Sequence, residues 1–151
     1  MNIIVVRGDG SYYTRPDTTL EREGSDFYLP DDCEGASASN FRYVRIIKAG
    51  KAVAQKFASR YLDKQFGRGV LMYGRCRGCV PCSQVNPYID YSTILFPSDR
   101  DCEEDEISLF SAALSRVSRH TSVRIGDILC LEDESQFAGV RGDTICGVNI
   151  L

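Results

Sequence analysis

Histidine is almost missing from this chain: His120 is the only one. A histidine general base needs a nucleophile to activate and a carboxylate to orient it. No such set can be identified near His120 in the sequence, and its place after an apolar stripe fits the end of a helix. Basic charge is also short. The formal net charge is −3, with no basic stripe and no aromatic platform, which argues against nucleic acid and against an anionic membrane surface. No apolar run approaches the roughly 20 residues that cross a bilayer. The opening stretch, Met1 to Arg7, lacks the basic start, long apolar middle and small-residue cleavage site of a signal peptide, so the expected location is the cytoplasm.

What remains is ordinary in bulk. The 151 residues are 43% hydrophobic and 26% charged, enough for one domain over residues 1–151 with one real core. Seven cysteines, an odd number without a secretion signal, are expected to be thiols rather than a disulfide framework.

Along the chain, Asn2 to Val6 reads as a strand closed by Gly8-Asp9-Gly10, and Tyr12 to Thr14 as a second strand stopped at Arg15-Pro16. Phe27 to Pro30 reads as a strand, and the small polar run Asp31 to Asn40 as a loop. Tyr43 to Ile47 is aromatic and β-branched, hence extended. Val53, Ala54, Phe57, Ala58, Tyr61 and Leu62 recur at helical spacing, and Val70 to Tyr73 starts a new strand. Ile107, Phe110, Leu114 and Val117 form a second helical stripe. Glu103 to Glu106 stand at its start and Arg116, Arg119 and His120 at its end, as the helix dipole favours. Two Gly-Asp turns, at Gly126-Asp127 and Gly142-Asp143, each precede a strand.

The run RIIKAGKAVAQKFASRYLDKQFGRGV resembles a signature of the fumarylacetoacetate hydrolase family, in its C-terminal catalytic domain. Tyr13-Thr14-Arg15-Pro16-Asp17-Thr18-Thr19-Leu20 is similar to that family's Lys-Pro-x-x-x-Leu segment, and the two Gly-Asp turns match its closing strands. The likeness covers about Tyr12 to Tyr73 and Leu114 to Leu151. It implies an α+β fold, mostly β: a mixed β-roll or sandwich with two short helices. It also implies a homodimer, a small-molecule ligand, and Mg²⁺ or Ca²⁺ gripped by an E-x-E pair and a later Asp. Laying the pattern on this chain puts Ser39 and Phe41 at the E-x-E positions and Met72 at that of the Asp. A hydroxyl, a ring and a thioether cannot grip a hard cation as carboxylates do, so no metal ligand, no cofactor and no catalytic residue is expected. Where the family has a Thr-Gly-Thr-Pro loop, this chain has Leu131-Glu132-Asp133-Glu134, expected to be an acidic turn.

Other features stand beside that resemblance. Cys76-x-x-Cys79-x-x-Cys82 can wrap a soft metal or an iron–sulfur cluster, or be a loop of unpaired thiols. Arg-Gly-Asp occurs at Arg7 and at Arg141, where turn chemistry accounts for it. Asp31, Asp32, Glu34, Asp90 and Asp127 are scattered acids that no spacing selects as a relocated metal site. Three functions are therefore open: a member of the fold without hydrolase activity that binds or supports, an active metal-dependent hydrolase of acylpyruvate-type substrates with relocated ligands, and a thiol-metal or redox protein.

Overall fold

The computed structural model describes residues 1–22, 26–76, 89–96 and 100–151. Its main sheet runs in the order β2 (Tyr12–Pro16), β1 (Asn2–Val6), β9 (Ile128–Gly139), β5 (Cys33–Arg45), β6 (Gln65–Cys76), β7 (Ile89–Leu95) and β3 (Leu20–Arg22), with β8 (Arg100–Asp101) paired to β6. β1 lies parallel to β9 and β3 parallel to β7; the other pairs are antiparallel. A smaller sheet holds β10 (Thr144–Ile145), β11 (Val148–Ile150) and β4 (Asp26–Phe27). The helices are α1 (Gln55–Ala58), continued by a 3-10 turn over Ser59–Tyr61, and α2 (Glu104–Ser118). The α+β, mostly β expectation with two short helices holds. None of the described helices is long and apolar enough to cross a membrane.

Strand alternation divides the side chains between two faces. On one face Ile4, Val6, Val44, Ile46 and Leu129 pack beneath Phe110, Leu114 and Val117 of α2, which are fully buried. Further along, Ala36, Ala38, Val70, Met72 and Ile94 pack against Phe27, Val148 and Ile150 of the smaller sheet. The other face turns inward and carries Ile3, Val5, Phe41, Tyr43, Leu71, Tyr73, Leu95 and Cys130.

The inward face closes because the sheet curls. β2 and β7 are separated by four strands in sheet order, yet Arg15 of β2 donates from Nη1 to the Ser92 carbonyl at 2.7 Å and to Thr93 Oγ1 at 3.0 Å on β7. Its Nη2 donates to the Met72 carbonyl at 3.4 Å, and its guanidinium lies 4.6 Å from the centre of the Tyr73 ring. Thr19 shares a hydrogen bond with Thr93 at 3.1 Å. Arg15 is only 1% exposed.

Glycine makes room for the aromatic filling. Phe41 stands opposite Gly69, and its ring occupies the space that a Cβ at Gly69 would need; Tyr43 does the same at Gly67. Aromatic rings commonly cover strand glycines in this way.

Four local expectations change. Asp31 to Asn40 is not a loop: β5 begins at Cys33. Its run of Gly, Ala and Ser lies between β6 and β9 with both faces covered, where small side chains let the layers approach. The first helix is shorter than its apolar spacing predicts, with Val53, Ala58 and Leu62 buried but Phe57 42% exposed. The strand expected over Phe27 to Pro30 is limited to Asp26–Phe27. Cys33 is disulfide-bonded, correcting the expectation of a thiol there; it faces Cys76 in the antiparallel register. Cys102, Cys130 and Cys146 are free.

At the start of α2, Glu106 closes a capping box by accepting the Glu103 amide at 3.0 Å. Arg100 grips the same carboxylate at 2.7 and 3.0 Å, and this bond, opposed by burial, holds the Glu106 pKa below the usual carboxylate range.

Replacing Arg15 with Ala removes charge-assisted bonds and packing at once. We expect a loss of about 3–5 kcal/mol in urea unfolding, with Lys recovering only part because it lacks the planar fork. Glu106→Gln should cost about 1–2 kcal/mol. Because the folded-state pKa of Glu106 is depressed, its contribution is fully present above the ordinary glutamate value and disappears as pH falls through the lower, folded one. The stability difference between wild type and Glu106→Gln, followed by urea unfolding down the pH scale, should therefore hold above the ordinary glutamate value and shrink as pH falls below it.

Candidate polar site at the mouth of the roll

β5 places Ser39, Phe41 and Tyr43 on the inward face. Ser39 is fully buried, and its Oγ donates to Glu132 Oε1 at 3.0 Å. Glu132 belongs to β9, where the alternation that turns Ile128 and Cys130 inward turns it inward as well. The Tyr73 hydroxyl donates to the same Oε1 at 3.2 Å and shares a hydrogen bond with the Tyr13 hydroxyl at 2.7 Å. At the open end Arg7 Nε stands 3.6 Å from Glu132 Oε2, and the Arg7 guanidinium lies over the Tyr13 ring. Neither Arg7 Nε nor Glu132 Oε2 has a hydrogen-bond partner.

This corrects the reading of Leu131-Glu132-Asp133-Glu134 as a turn. The segment lies within β9. Phe41 pairs with Glu132 and Ser39 with Gln136, so extra residues of β9 bulge out between those two pairs. Asp133 and Glu134 are exposed there, while Glu132 goes inward.

The buried charges set the local acidities. Burial pushes the Tyr73 phenol up, reinforced by Tyr13 and Glu132 and opposed by Arg15. Cys130 is likewise pushed up, by burial first, with Arg15 opposing; a thiol held protonated this way is a poor nucleophile. For Arg7, burial works against the charge, but the Glu132 carboxylate and the Tyr13 and Tyr73 phenols outweigh it and raise its pKa.

The residues singled out from sequence are only partly brought together. Ser39 and Phe41 share the inward face. Met72 does not join them: it packs on the opposite face with Ala38 and Val70, because β6 sets Leu71 opposite Ser39 and Gly69 opposite Phe41. Cys76 ends β6, while Cys79 and Cys82 lie outside the described residues. His120 is exposed just past α2. Both Asp127 oxygens are engaged, accepting the amides of Asn2 and Arg124, and Asp31 is exposed and ion-paired with Arg141 at 3.6 Å. Among the described residues no group of three or more His, Cys, Asp or Glu side chains could hold a metal ion.

The sequence reading missed Arg7, Glu132, Tyr13 and Tyr73 as a unit. The one available signal was alternation on β9, which selects Glu132 but not its neighbours for the inside. The residues at Ser39 and Phe41 do not fit a divalent cation. The one buried carboxylate there accepts from two hydroxyls and faces a guanidinium.

No family model matches this sequence, and no curated protein is significantly similar to it. Solved structures are similar in fold. A protein described as of the fumarylacetoacetate hydrolase family, from Yersinia pestis CO92, superposes with a TM-score of 0.71 at 12% identity over 99% of this chain and 92% of its own. A fumarylpyruvate hydrolase from Pseudomonas aeruginosa, solved with Mn²⁺ and pyruvate, gives 0.67 at 13% identity over 94% of this chain and 82% of its own. A maleylpyruvate hydrolase from Sphingobium sp. SYK-6, also with manganese and pyruvate, gives 0.70 at 13% identity over 99% and 70%. With the curled sheet and its two helices, these likenesses establish that the chain has the fold of the fumarylacetoacetate hydrolase family.

Proposed function

We propose that this protein is a member of the fumarylacetoacetate hydrolase family without its metal-dependent hydrolysis, retaining a binding or supporting role. The observation that carries this reading is the buried Ser39–Glu132–Tyr73 set. At one position where the resemblance expects a metal-gripping carboxylate, a serine instead donates to a carboxylate from another strand. At the next, the Phe41 ring fills the space over Gly69. Cleaving a carbon–carbon bond in a diketo acid calls for a cation to stabilise the developing enolate and a base to activate water. The inward residues supply hydroxyls, rings and a guanidinium-paired carboxylate. The Pseudomonas and Sphingobium enzymes bind manganese and pyruvate; this reading sets the present chain apart from them in chemistry while keeping their architecture.

The test is direct. Purified protein, incubated with an acylpyruvate and Mg²⁺ or Mn²⁺, should show no cleavage that a chelator abolishes. Titration calorimetry with Mn²⁺ should show no saturable site. Chelator-sensitive turnover that survives in Ser39→Ala would place the ligands elsewhere and overturn the reading.

A further inference from the structure

Beside the Arg7–Glu132 pair lies a cavity of about 220 Å³ between α2 and the ends of β1, β5 and β9. Its floor includes Val6 and Leu131, and its charged lining is Arg7, Arg42 and Arg116 against the single carboxylate of Glu132. Three independent features bring those guanidiniums together. β5 sets Arg42 directly across from Leu131, which in turn pairs with Val6, so Arg42 belongs to the row that forms the floor. α2 carries Arg116 to the β1–β2 turn, where its guanidinium occupies the space that a Cβ at Gly10 would need; Gly10 has φ +86°, so both the turn and this approach favour glycine. Arg7 follows β1 directly and opens that turn, with its Nε buried and without a hydrogen-bond partner.

This clustering is electrostatically costly as it stands. Among the described residues neither Arg42 nor Arg116 takes part in an ion pair. Arg42 also faces Arg68 directly across β5 and β6, an arrangement of like charges that weakens a strand pair. Glu106 is the carboxylate that feels Arg42 from the α2 side, and Arg100 already grips it. The acidic groups near the turn, Asp9, Asp133 and Glu134, line an adjoining cavity on the far side of Arg7 and Gly8. Positive charge therefore gathers on the α2 side and negative charge on the β9 side.

We propose that the cavity on the α2 side is an oxyanion site that takes the carboxylate of a small organic acid or a phosphate group. Arg42 and Arg116 grip the anion from two elements, and Arg7 sits at its inner wall. The site gives the binding role argued above a location and a ligand charge, and rests on that reading.

Inorganic phosphate and acetate are the probes, titrated separately into the full chain at low ionic strength with chelator present throughout. Binding is followed by calorimetry and by the amide signals of residues 7–10 and 131. We expect saturable binding of at least one; the tighter of the two identifies whether phosphate or carboxylate is the natural group. Arg116→Gln, on an exposed side chain that does not hold the fold, should weaken binding about tenfold, as loss of a charge-assisted bond does; Arg42→Gln should do the same. Glu132→Gln keeps the hydrogen-bonding shape but removes the one negative charge, and should tighten binding. Arg60→Gln, on the exposed face near α1, should leave it unchanged. Absence of saturable binding for both anions, equal weakening by Arg60→Gln, or weaker binding in Glu132→Gln would each overturn the proposal. Because no metal is present in these titrations, a metal-dependent hydrolysis would surface only in the acylpyruvate assay, so the two readings fail separately.

Discussion

A buried guanidinium seals the seam of this roll, where a short 3-10 turn carries β2 into β3 and so onto β7. Arg15 reaches from one edge of the main sheet to β6 and β7, donating to two carbonyls and a hydroxyl and stacking on Tyr73. An arginine suits this position because its charge is delocalised and weakly hydrated and its donors lie in one plane. Carbonyl dipoles and an aromatic face replace the water it gives up, so the charge is tolerated at 1% exposure. Together with the β3–β7 ladder, the cross-sheet bonds hold β2 against β7, and that seam makes the inward face an interior rather than one side of an open sheet. The identity of the other inward residues follows. With both sides enclosed, Phe41, Tyr43 and Tyr73 fill the roll, and glycines on β6 accept the rings.

The same enclosure governs the chemistry. Tyr73 and Cys130 are deprived of water and held in their neutral forms. Glu132, the inward acid nearest the mouth, is surrounded by donors: two hydroxyls on one oxygen and Arg7 facing the other. Such a network orders the end of the roll. The hydroxyls satisfy Glu132 Oε1, while Arg7 Nε and Glu132 Oε2, ion-paired but not hydrogen-bonded, lie where the roll opens.

Much of the fold was legible in the residues. The stripe Phe110, Leu114 and Val117 gives α2 its buried face, with acids at its start, as periodicity and the dipole require. The alternation of Ile3, Ile4, Val5 and Val6 feeds two clusters on opposite faces, as a central strand should. The first half of β5 was not legible. Gly35-Ala36-Ser37-Ala38-Ser39 has the composition of a loop, and only the two flanking strands make small residues the right choice. The acidic stretch of β9 misled for a related reason. Composition suggests a turn, but the bulge exposes Asp133 and Glu134 while the ladder sends Glu132 inside. Of the site, Ser39 and Phe41 were singled out by the resemblance alone, and the alternation of β5 turns both inward. Met72, singled out the same way, lies on the opposite face, since it pairs with Ala38 while its neighbour Leu71 stands opposite Ser39. Arg7 and Arg116 meet only through the chain's return from α2, which no local pattern records.

Charge arithmetic then decides which kind of ligand the mouth of the roll favours. A divalent cation bound to Glu132 would gain roughly 8 kcal/mol of attraction at about 4 Å in an effective dielectric near 20. Arg7 already stands 3.6 Å from that carboxylate, so the same ion would meet repulsion from the guanidinium. The guanidinium thus offsets part of that attraction, before any cost of dehydrating the ion, and the other carboxylates nearby, Asp9, Asp133 and Glu134, line the adjoining cavity rather than the α2 side. For an anion on the α2 side the signs reverse: three guanidiniums attract and one carboxylate opposes. The hydroxyls of Ser39 and Tyr73 deepen this bias, because by donating to Glu132 they spread its charge toward the interior and away from the cavity. The proposed anion site rests on that balance of charge.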